Sequence, residues 1–432
     1  MSYRFHPLVA AVALALACSA QAAKPTKPAA KAAAPVAAAD AELAHNFSPA
    51  AAERLQAVVD RFNKENGGNL KLVRLEKGDK PAGLNLLRRY DMSEVLSQPK
   101  AFIPLADMMA KAKQPLNVGE LSADLKATVV NAKGKLVALP LIYSTPVLFY
   151  NKNAFRKAKL DPEQPPKTWF EMQGVLDKLQ DAGYACPYTS SWPVWVHVDN
   201  VSAISGSPAT SDKGQLVFNG LPQVKHIAMM ATWSKAGYFR LFGRRDEASN
   251  KFQEGECAMI STDSREHVDF RDAKGVELGV TALPYHDDVY GGRQPSLADG
   301  ASLWVGAGRS AAEYKQAAKF VSFLLSPEMQ VEVVRVYGGL PLTAAGRAAA
   351  RSKILKDDGD RTLEVAYASL KGNAGKQVSH VADVDAVRLI TNEELEAVWA
   401  NQKPAKAALD TSVSRGNAVL AAKPALKKAQ PF

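Results

Sequence analysis

Residues Leu139–Trp169 read LPLIYSTPVLFYNKNAFRKAKLDPEQPPKTW, and this stretch decides the fold of the chain. Its first half is rich in apolar and aromatic residues, but Pro140 and Pro146 interrupt it, so it cannot form one continuous central strand. We interpret this half as a crossover between two lobes, with Ser144 and Thr145 at the bend.

The second half of the stretch contains a helix start. Thr168 is followed three residues later by Glu171, a capping box in which each side chain satisfies a free backbone amide. The pattern predicts a helix that begins at about Trp169 and stops at Gly183. Its apolar residues recur at helical spacing, at Met172, Val175, Leu176 and Leu179.

An earlier segment predicts an α/β lobe. Ser48 and Pro49 open a helix whose apolar face holds Leu55, Val58, Val59 and Phe62, and Gly67 ends it. A short strand follows at Leu70–Leu75. The pattern weakens between Lys77 and Phe102, and no strand is evident before His45. The first lobe is therefore either trimmed or contains a strand that the pattern does not reveal.

The composition indicates a soluble two-lobed protein. The chain has 432 residues, of which 47% are hydrophobic and 23% charged, and lobes of roughly 150 to 200 residues are typical at this length. Residues 1–40 hold four Lys or Arg against one acid and residues 403–432 hold six against one, which leaves the middle near +2 of the total +10. A basic end is more often solvated than bound to nucleic acid, so we expect no nucleic-acid partner.

The first residues resemble a secretory signal. Arg4 and His6 precede the apolar run Leu8–Ala17, and Ala20–Ala22 has the small-residue cleavage pattern, so we assign residues 1–22 to a signal peptide and expect a periplasmic location. Residues 23–45 are an Ala, Pro and Lys linker. Lipid attachment at Cys18 is the alternative, although Ala15 stands where such sites normally have Leu.

Two cysteines remain after the signal, Cys186 and Cys257. In an oxidising compartment they form either one disulfide or two buried free thiols, and the sequence leaves both open. The seven histidines show no helical pair with a Glu companion, and neither a phosphate-binding loop nor a nucleophile elbow is present. We therefore predict neither an enzyme nor a cofactor or metal site.

Two tryptophans are the strongest ligand-binding candidates. Trp192 and Trp195 lie beside small hydroxyl residues, and an aromatic face can stack on the C–H side of a polyol. Pro193 between them favours a loop; the alternative is that both rings only fill a core. Ser144, Ser264 and Gly300 are further candidates, because hydroxyls and amides at a helix start can bind an anion.

The chain resembles the family 1 extracellular solute-binding proteins of bacterial ABC importers, in particular the periplasmic glycerol-3-phosphate binders. The resemblance rests on Ser-Thr-Pro-Val-Leu, Tyr-Asn-Lys and Asp-Pro-Glu-Gln-Pro-Pro-Lys-Thr-Trp in the opening stretch, and it continues to about residue 420 through Gly300-Ala-Ser-Leu-Trp-Val and Glu393-Glu-Leu-Glu-Ala-Val-Trp399. It implies a two-lobed α/β periplasmic-binding-protein fold with hinge crossovers. It also implies ligand contacts from Ser144, Trp192, Trp195, Ser264 and Gly300.

Other ligand positions of the family differ here. The first-lobe tyrosine and glutamate have only Tyr90 and Asp91 as nearest candidates, a second tyrosine is replaced by Gly339, and a late arginine aligns with His380. Losing an arginine fork weakens phosphate binding by roughly 2 to 5 kcal/mol. The resemblance therefore implies the class of protein more firmly than it implies the ligand, and His380 is a candidate contact that is fully charged only at acidic pH.

These features predict a monomeric periplasmic binding protein that captures a small polar solute between its lobes. We expect the solute to be glycerol-3-phosphate-like, a glycerophosphodiester, a polyol or a sugar, with an ABC permease and its ATPase as partners. The predicted lobes are 46–145 with about 285–340, and 146–284 with about 341–422, followed by a basic tail at 423–432. The alternative is a degenerate binding-protein fold that acts as a periplasmic interaction or sensory protein.

Overall fold

The structure is a computed structural model that describes residues 41–76, 79–88, 99–114, 116–130, 134–289, 291–358, 361–372 and 384–422. The signal peptide, most of the linker, the basic tail, Tyr90, Asp91 and His380 lie outside the described residues. The strands are β1 (Ala41–His45), β2 (Leu70–Arg74), β3 (Leu84–Arg88), β4 (Phe102–Ile103), β5 (Ala138–Ser144), β6 (Pro146–Asn151), β7 (Cys186–Ser190), β8 (Phe239–Arg240), β9 (Cys257–Asp263), β10 (Leu278–Ala282) and β11 (Asp299–Gly306).

Helices pack around these strands. They are α1 (Pro49–Asn66), α2 (Leu105–Lys111), α3 (Ala123–Lys126), α4 (Lys152–Lys157), α5 (Trp169–Asp181), α6 (Val201–Ile204), α7 (Leu221–Ala236), α8 (Glu247–Gln253), α9 (His267–Phe270), α10 (Ala311–Leu324), α11 (Pro327–Tyr337), α12 (Ala344–Asp358), α13 (Thr362–Leu370), α14 (Val384–Trp399) and α15 (Ala405–Ala422). Short 3₁₀ turns cover Pro99–Ala101, Val118–Glu120, Ala127–Val129 and Ser264–Glu266, and Trp195–Asn200 is a π-helical turn. No helix in the described part of the chain is both long and apolar enough to span a bilayer.

Two mixed sheets organise the protein. The first has the order β2-β1-β3-β11-β4, with β5 also paired to β11, and the second has the order β10-β6-β9-β7-β8. In the first sheet β1 is parallel to β2 and β3, whereas β11 is antiparallel to β3 and β5. The predicted α/β fold with a crossover is confirmed, and the structure shows that it contains two sheets.

The crossover between the sheets lies where the opening stretch bends. β5 of the first sheet ends at Ser144, and β6 of the second begins at Pro146. Pro140 is accommodated within β5 at a register shift against β11, between the pairs Leu139–Leu303 and Ile142–Ala301. A proline is tolerated at such an irregularity because it supplies no amide for a regular ladder bond.

Local sequence signals set several helix boundaries. Thr168 accepts a bond from the Glu171 amide at 3.1 Å, and the Glu171 carboxylate accepts one from the Thr168 amide at 3.1 Å, so the predicted capping box is confirmed. The predicted apolar face of α1 is buried at Leu55, Val58, Val59 and Phe62, and Gly67 ends the helix in a left-handed conformation with φ 58°.

The first lobe does contain its opening strand. Residues 41–45, which the sequence assigned to the linker, form β1 and pair with both β2 and β3. That assignment was wrong because Ala-Glu-Leu-Ala-His contains none of the β-branched or aromatic residues that favour strands. Its burial comes from its central position in the sheet.

The composition of the buried cores shows where the helices after residue 341 pack. Leu342, Ala350 and Ile354 lie in the core that surrounds the first sheet, together with Leu363 and Leu370. Residues from 341 onward were expected in the second lobe, whereas these five side chains belong to the core around the first sheet. Helix α13, which holds the last two of them, also lies beside β6 and β10 of the second sheet. The remaining lobe boundaries stay a prediction.

A disulfide joins neighbouring strands of the second sheet. Cys186 and Cys257 are register partners at the starts of the parallel strands β7 and β9, with their Cα atoms 4.5 Å apart. Of the two alternatives that the sequence left open, the structure has the disulfide. The register of the sheet explains it, because no change of backbone is needed to bridge the pair.

A chain of buried hydrogen bonds crosses the core of the second lobe. His197 Nδ1 lies 3.0 Å from His226 Nε2, and His226 Nδ1 lies 3.1 Å from His286 Nε2. Tyr188 Oη lies 3.5 Å from His197 Nε2, and Trp169 packs against all three imidazoles. Each contact uses a different nitrogen of His226, so the arrangement is a hydrogen-bonded row. Among the described residues no cluster of His, Cys, Asp and Glu has the arrangement of a metal site.

Burial keeps this row of histidines neutral. It lowers the pKa of His197 to about 3, and burial with the nearby Lys225 lowers the pKa of His286 to about 4, against the opposing effect of Asp287 and Asp288. The pKa of His226 is also lowered, by burial and by its two histidine neighbours. In contrast, burial raises the pKa of Glu266 to about 8, so this carboxyl keeps a proton in the folded protein.

We expect the histidines to make folding sensitive to acid. The unfolded chain protonates a histidine near pH 6.5 while the folded chain does not, so their stabilising effect is complete above that pH and declines below it, by about 1.4 kcal/mol per pH unit for each histidine. His197 alone should cost roughly 2 kcal/mol between pH 6.5 and pH 5. Glu266 acts in the opposite direction, because its folded form binds a proton that the unfolded chain releases.

The variant Glu266→Gln separates these opposing effects. Its free energy of unfolding in urea should fall by at least roughly 2 kcal/mol between pH 7 and pH 5, more steeply than that of the unmodified protein. The double variant with His197→Gln should recover about 2 kcal/mol of that loss. An unchanged free energy of unfolding across this range in Glu266→Gln would show that the folded protein protonates the row.

Candidate functional site

The crossover between the sheets holds one aspartate of each sheet close to Thr145. Ser144 is the register partner of Asp299 in the first sheet, and Pro146 is the register partner of Asp263 in the second. Since Ser144 and Pro146 are separated by a single residue, the two aspartates are held close to the crossover. They come from strands that end or begin there.

Ser144 and Ser264 lie inside this junction. The Ser144 hydroxyl donates to the Asp299 carbonyl at 3.4 Å, and the Ser264 hydroxyl accepts a bond from the Thr145 amide at 3.3 Å. The Ser264 amide in turn donates to the Thr145 carbonyl at 2.9 Å. Both serine side chains are almost completely buried, so they hold the crossover in place. Their role as ligand contacts stays a prediction.

A small cavity opens beside the crossover. Its wall combines residues from both sheets and their connections. The lining residues are Arg88, Trp192, Trp195, Asp263, Arg265, Asp299 and Gly300. Three of the residues predicted from sequence are therefore brought together, namely Trp192, Trp195 and Gly300.

Both tryptophans belong to a buried core, and both also line the cavity. Trp192 is 8% exposed and Trp195 4% exposed, and both pack in the core of the second lobe. Trp192 has a positive φ of 52° and its amide donates to the Arg245 carbonyl at 2.8 Å, which fixes the turn. The predicted loop is wrong for Trp195, which begins a π-helical turn, a feature that is frequent at functional sites. The two indoles that line the cavity are thus rigidly held.

Gly300 is required by close packing. A Cβ atom at this position would lie 1.9 Å from the Ile142 carbonyl oxygen and 2.7 Å from the Tyr143 Cα. Only glycine lets β11 approach β5 this closely. Its amide donates to the Asp299 carboxylate at 2.7 Å, so the glycine also helps to orient that side chain at the cavity.

Ion pairs neutralise the carboxylates of the cavity wall. The Arg265 Nε donates to Asp263 Oδ2 at 2.8 Å, and the Arg265 amide donates to Asp263 Oδ1 at 2.9 Å. Burial alone would raise the pKa of Asp263, but Arg265 outweighs it and the pKa is lowered. Asp263 is therefore ionised and paired.

A second ion pair reaches the cavity from helix α14. Arg388 Nη2 donates to Asp299 Oδ2 at 3.1 Å and to Asp199 Oδ2 at 2.7 Å, and Arg388 Nε donates to Asp199 at 3.1 Å. Arg388 is 5% exposed. A late arginine thus lies behind the cavity wall, eight residues after His380, the residue that the sequence analysis aligned with the late arginine of the family.

Sequence reasoning missed the charged residues of this site. Asp263 and Asp299 directly precede the candidates Ser264 and Gly300, so their positions gave a usable signal. Arg265 directly follows Ser264 and offered the same signal. Arg88 and Arg388 carried none, because their place beside the cavity is set by the fold. Sequence distances of 89 and 189 residues separate Arg388 from its two aspartates.

Comparison with known proteins shows which family the chain is similar to. Residues 57–362 match the family described as bacterial extracellular solute-binding protein. The sn-glycerol-3-phosphate-binding periplasmic protein UgpB of Pectobacterium atrosepticum is 34% identical over 409 residues, which are 89% of this chain and 92% of that protein.

Solved structures have the same fold. UgpB from Mycobacterium tuberculosis in complex with glycerophosphocholine aligns with a TM-score of 0.72 at 20% identity, covering 88% of this chain and 98% of that one. An ABC substrate-binding protein from Listeria monocytogenes in complex with cycloalternan aligns with a TM-score of 0.73 at 18% identity, covering 88% and 99%. At these identities the likeness is one of fold.

Proposed function

The chain belongs to the bacterial extracellular solute-binding proteins, and we propose that it captures a small polar solute between its two sheets for uptake by an ABC importer. The observation that carries the proposal is the cavity wall, to which both sheets contribute. A solute that contacts residues of both sheets stabilises the closed conformation, in which the two walls of the cavity are close together. A permease can recognise that closed conformation.

The chemistry of the wall supports a polar solute. Indole faces of Trp192 and Trp195 suit the C–H side of a polyol or sugar, while paired carboxylates and guanidinium groups suit its oxygens. The similar sequence is named for binding sn-glycerol 3-phosphate, and the two solved structures of the same fold are complexes with glycerophosphocholine and cycloalternan. The proposed contacts are Ser144, Trp192, Trp195, Ser264 and Gly300, with His380 as a further candidate.

The proposal extends to compartment and partners. The relatives named as periplasmic proteins and the disulfide between Cys186 and Cys257 support export by a signal peptide at residues 1–22 into an oxidising compartment. A permease with its ATPase would receive the solute from a monomeric binding protein. The family binds solutes, which supports a function without catalysis.

Thermal unfolding with a panel of solutes tests the proposal. Glycerol 3-phosphate, glycerophosphodiesters, polyols and oligosaccharides are added separately, and a true ligand should stabilise the protein by about 2.7 kcal/mol at a hundredfold excess over its dissociation constant. A protein that none of these solutes stabilises would instead support the interaction or sensory role.

A further inference from the structure

We propose that Asp299 is a specificity-determining residue that makes the site reject phosphate monoesters and select uncharged polyhydroxyl solutes. This inference rests on the proposed function, because it assumes that the cavity binds a solute. It departs from what the glycerol-3-phosphate-binding relatives suggest, and it follows from how the charges of the cavity wall are paired.

The first step concerns Arg388, the buried arginine behind the wall. A guanidinium group is the usual partner of a phosphate because its planar fork makes two parallel bonds. Here Arg388 Nη2 already donates to Asp299 Oδ2 at 3.1 Å and to Asp199 Oδ2 at 2.7 Å. A phosphate that approached Arg388 from the cavity would therefore meet the Asp299 carboxylate first.

The second step concerns the net charge of the wall. Asp263 and Asp299 balance Arg88 and Arg265, so the charged lining residues sum to zero. Arg388 and Asp199 add one further charge of each sign behind them. A phosphate monoester carries about −1.5 to −2 charges at neutral pH. Placing it beside the buried side chains of Asp263 and Asp299, in a lining that has no excess of positive charge, disfavours binding.

The third step concerns the hydrogen bonds that the cavity wall can make with a hydroxyl group of the solute. A hydroxyl group donates one hydrogen bond and accepts others, so it can bridge a carboxylate and a guanidinium without disturbing their ion pair. Asp263 with Arg265 offers such a mixed pair at the wall, and the Asp299 carboxylate can accept a further bond from a hydroxyl. The faces of Trp192 and Trp195 add contacts for the carbon skeleton. A sugar or polyol can contact all of these groups at the same time.

Isothermal titration of three proteins tests the role of Asp299. Asp299→Asn keeps the shape and the carboxamide oxygen that can accept from the Gly300 amide, but removes the charge that occupies Arg388. The unmodified protein should bind a neutral sugar or polyol and should bind glycerol 3-phosphate at least about tenfold more weakly. Asp299→Asn should raise the affinity for glycerol 3-phosphate by roughly tenfold or more and lower the affinity for the neutral solute.

Asp199→Asn is the matched control. Asp199 contacts the same guanidinium as Asp299 but does not line the cavity. Its removal should change the affinity for glycerol 3-phosphate by less than about threefold. An equal gain in both variants would show that any loss of charge around Arg388 has this effect, and it would overturn the role assigned to Asp299. Urea unfolding of each variant checks that it is folded, and the ratio of the two affinities in the unmodified protein tests the selectivity independently of any variant.

The outcomes separate this inference from the proposed function. Tight binding of glycerol 3-phosphate by the unmodified protein, weakened in Asp299→Asn, would overturn the inference and leave the proposed function standing. Stronger binding of glycerophosphocholine than of every neutral solute would also overturn it, in favour of a zwitterionic ligand. No binding of any solute by either protein would overturn both.

Discussion

Replacing Trp195 with alanine is expected to lower the affinity for the solute by on the order of a hundredfold. The indole lines the cavity and is held in a π-helical turn, so little entropy is lost when it contacts a ligand. Buried aromatic anchors of this kind contribute roughly 2 to 4 kcal/mol to binding. Isothermal titration with the solute that gives the largest thermal shift measures the effect.

The matched control is Trp233→Ala. Trp233 is 2% exposed and packs in the same core as Trp195, but it does not line the cavity. Both variants should lose stability, because truncating a buried tryptophan costs about 3 to 5 kcal/mol. Only Trp195→Ala should lose affinity while folded. Equal affinities in the two variants would remove Trp195 from the binding site.

Reduction of the Cys186–Cys257 disulfide is expected to lower the free energy of unfolding by about 4 kcal/mol. The bond joins β7 to β9 and spans a sequence separation of 71 residues, so it strongly restricts the unfolded chain. Urea unfolding of the oxidised protein, of the reduced protein and of the double variant with serine at both positions measures the difference.

The reduced protein and the double serine variant answer different questions. The reduced protein keeps both sulfur atoms in the core, whereas serine places a hydroxyl group there and should cost slightly more. If the oxidised and reduced proteins unfold at the same urea concentration, the disulfide does not stabilise the fold. Thiol labelling of the unfolded protein before and after reduction confirms which form is present.

The elements that the sequence predicted correctly are those set by local signals. The capping box at Thr168, the apolar face of α1 and the bend at Ser144 each depend on residues a few positions apart. β1 was missed because its burial comes from two neighbouring strands.

The lining of the cavity was predicted less completely than the fold. Trp192, Trp195 and Gly300 line it, and they were predicted from the residue types of the tryptophans and from the family resemblance. The ion pair of Asp299 was not, since its partner Arg388 is 89 residues away and hydrogen bonds between distant segments leave no periodic pattern. The sequence analysis expected the late arginine of the family to be missing from this chain. A late arginine, Arg388, is present, but its guanidinium group is paired with two carboxylates.

A crystal structure of the protein with the solute that stabilises it most is the measurement that tests the central claim most directly. We predict that the solute lies between the two sheets, in contact with Trp192 and Trp195 on one side and with Asp299 or Gly300 on the other. A solute bound elsewhere, with the indoles still closed over an empty cavity, would contradict the claim that this cavity captures it.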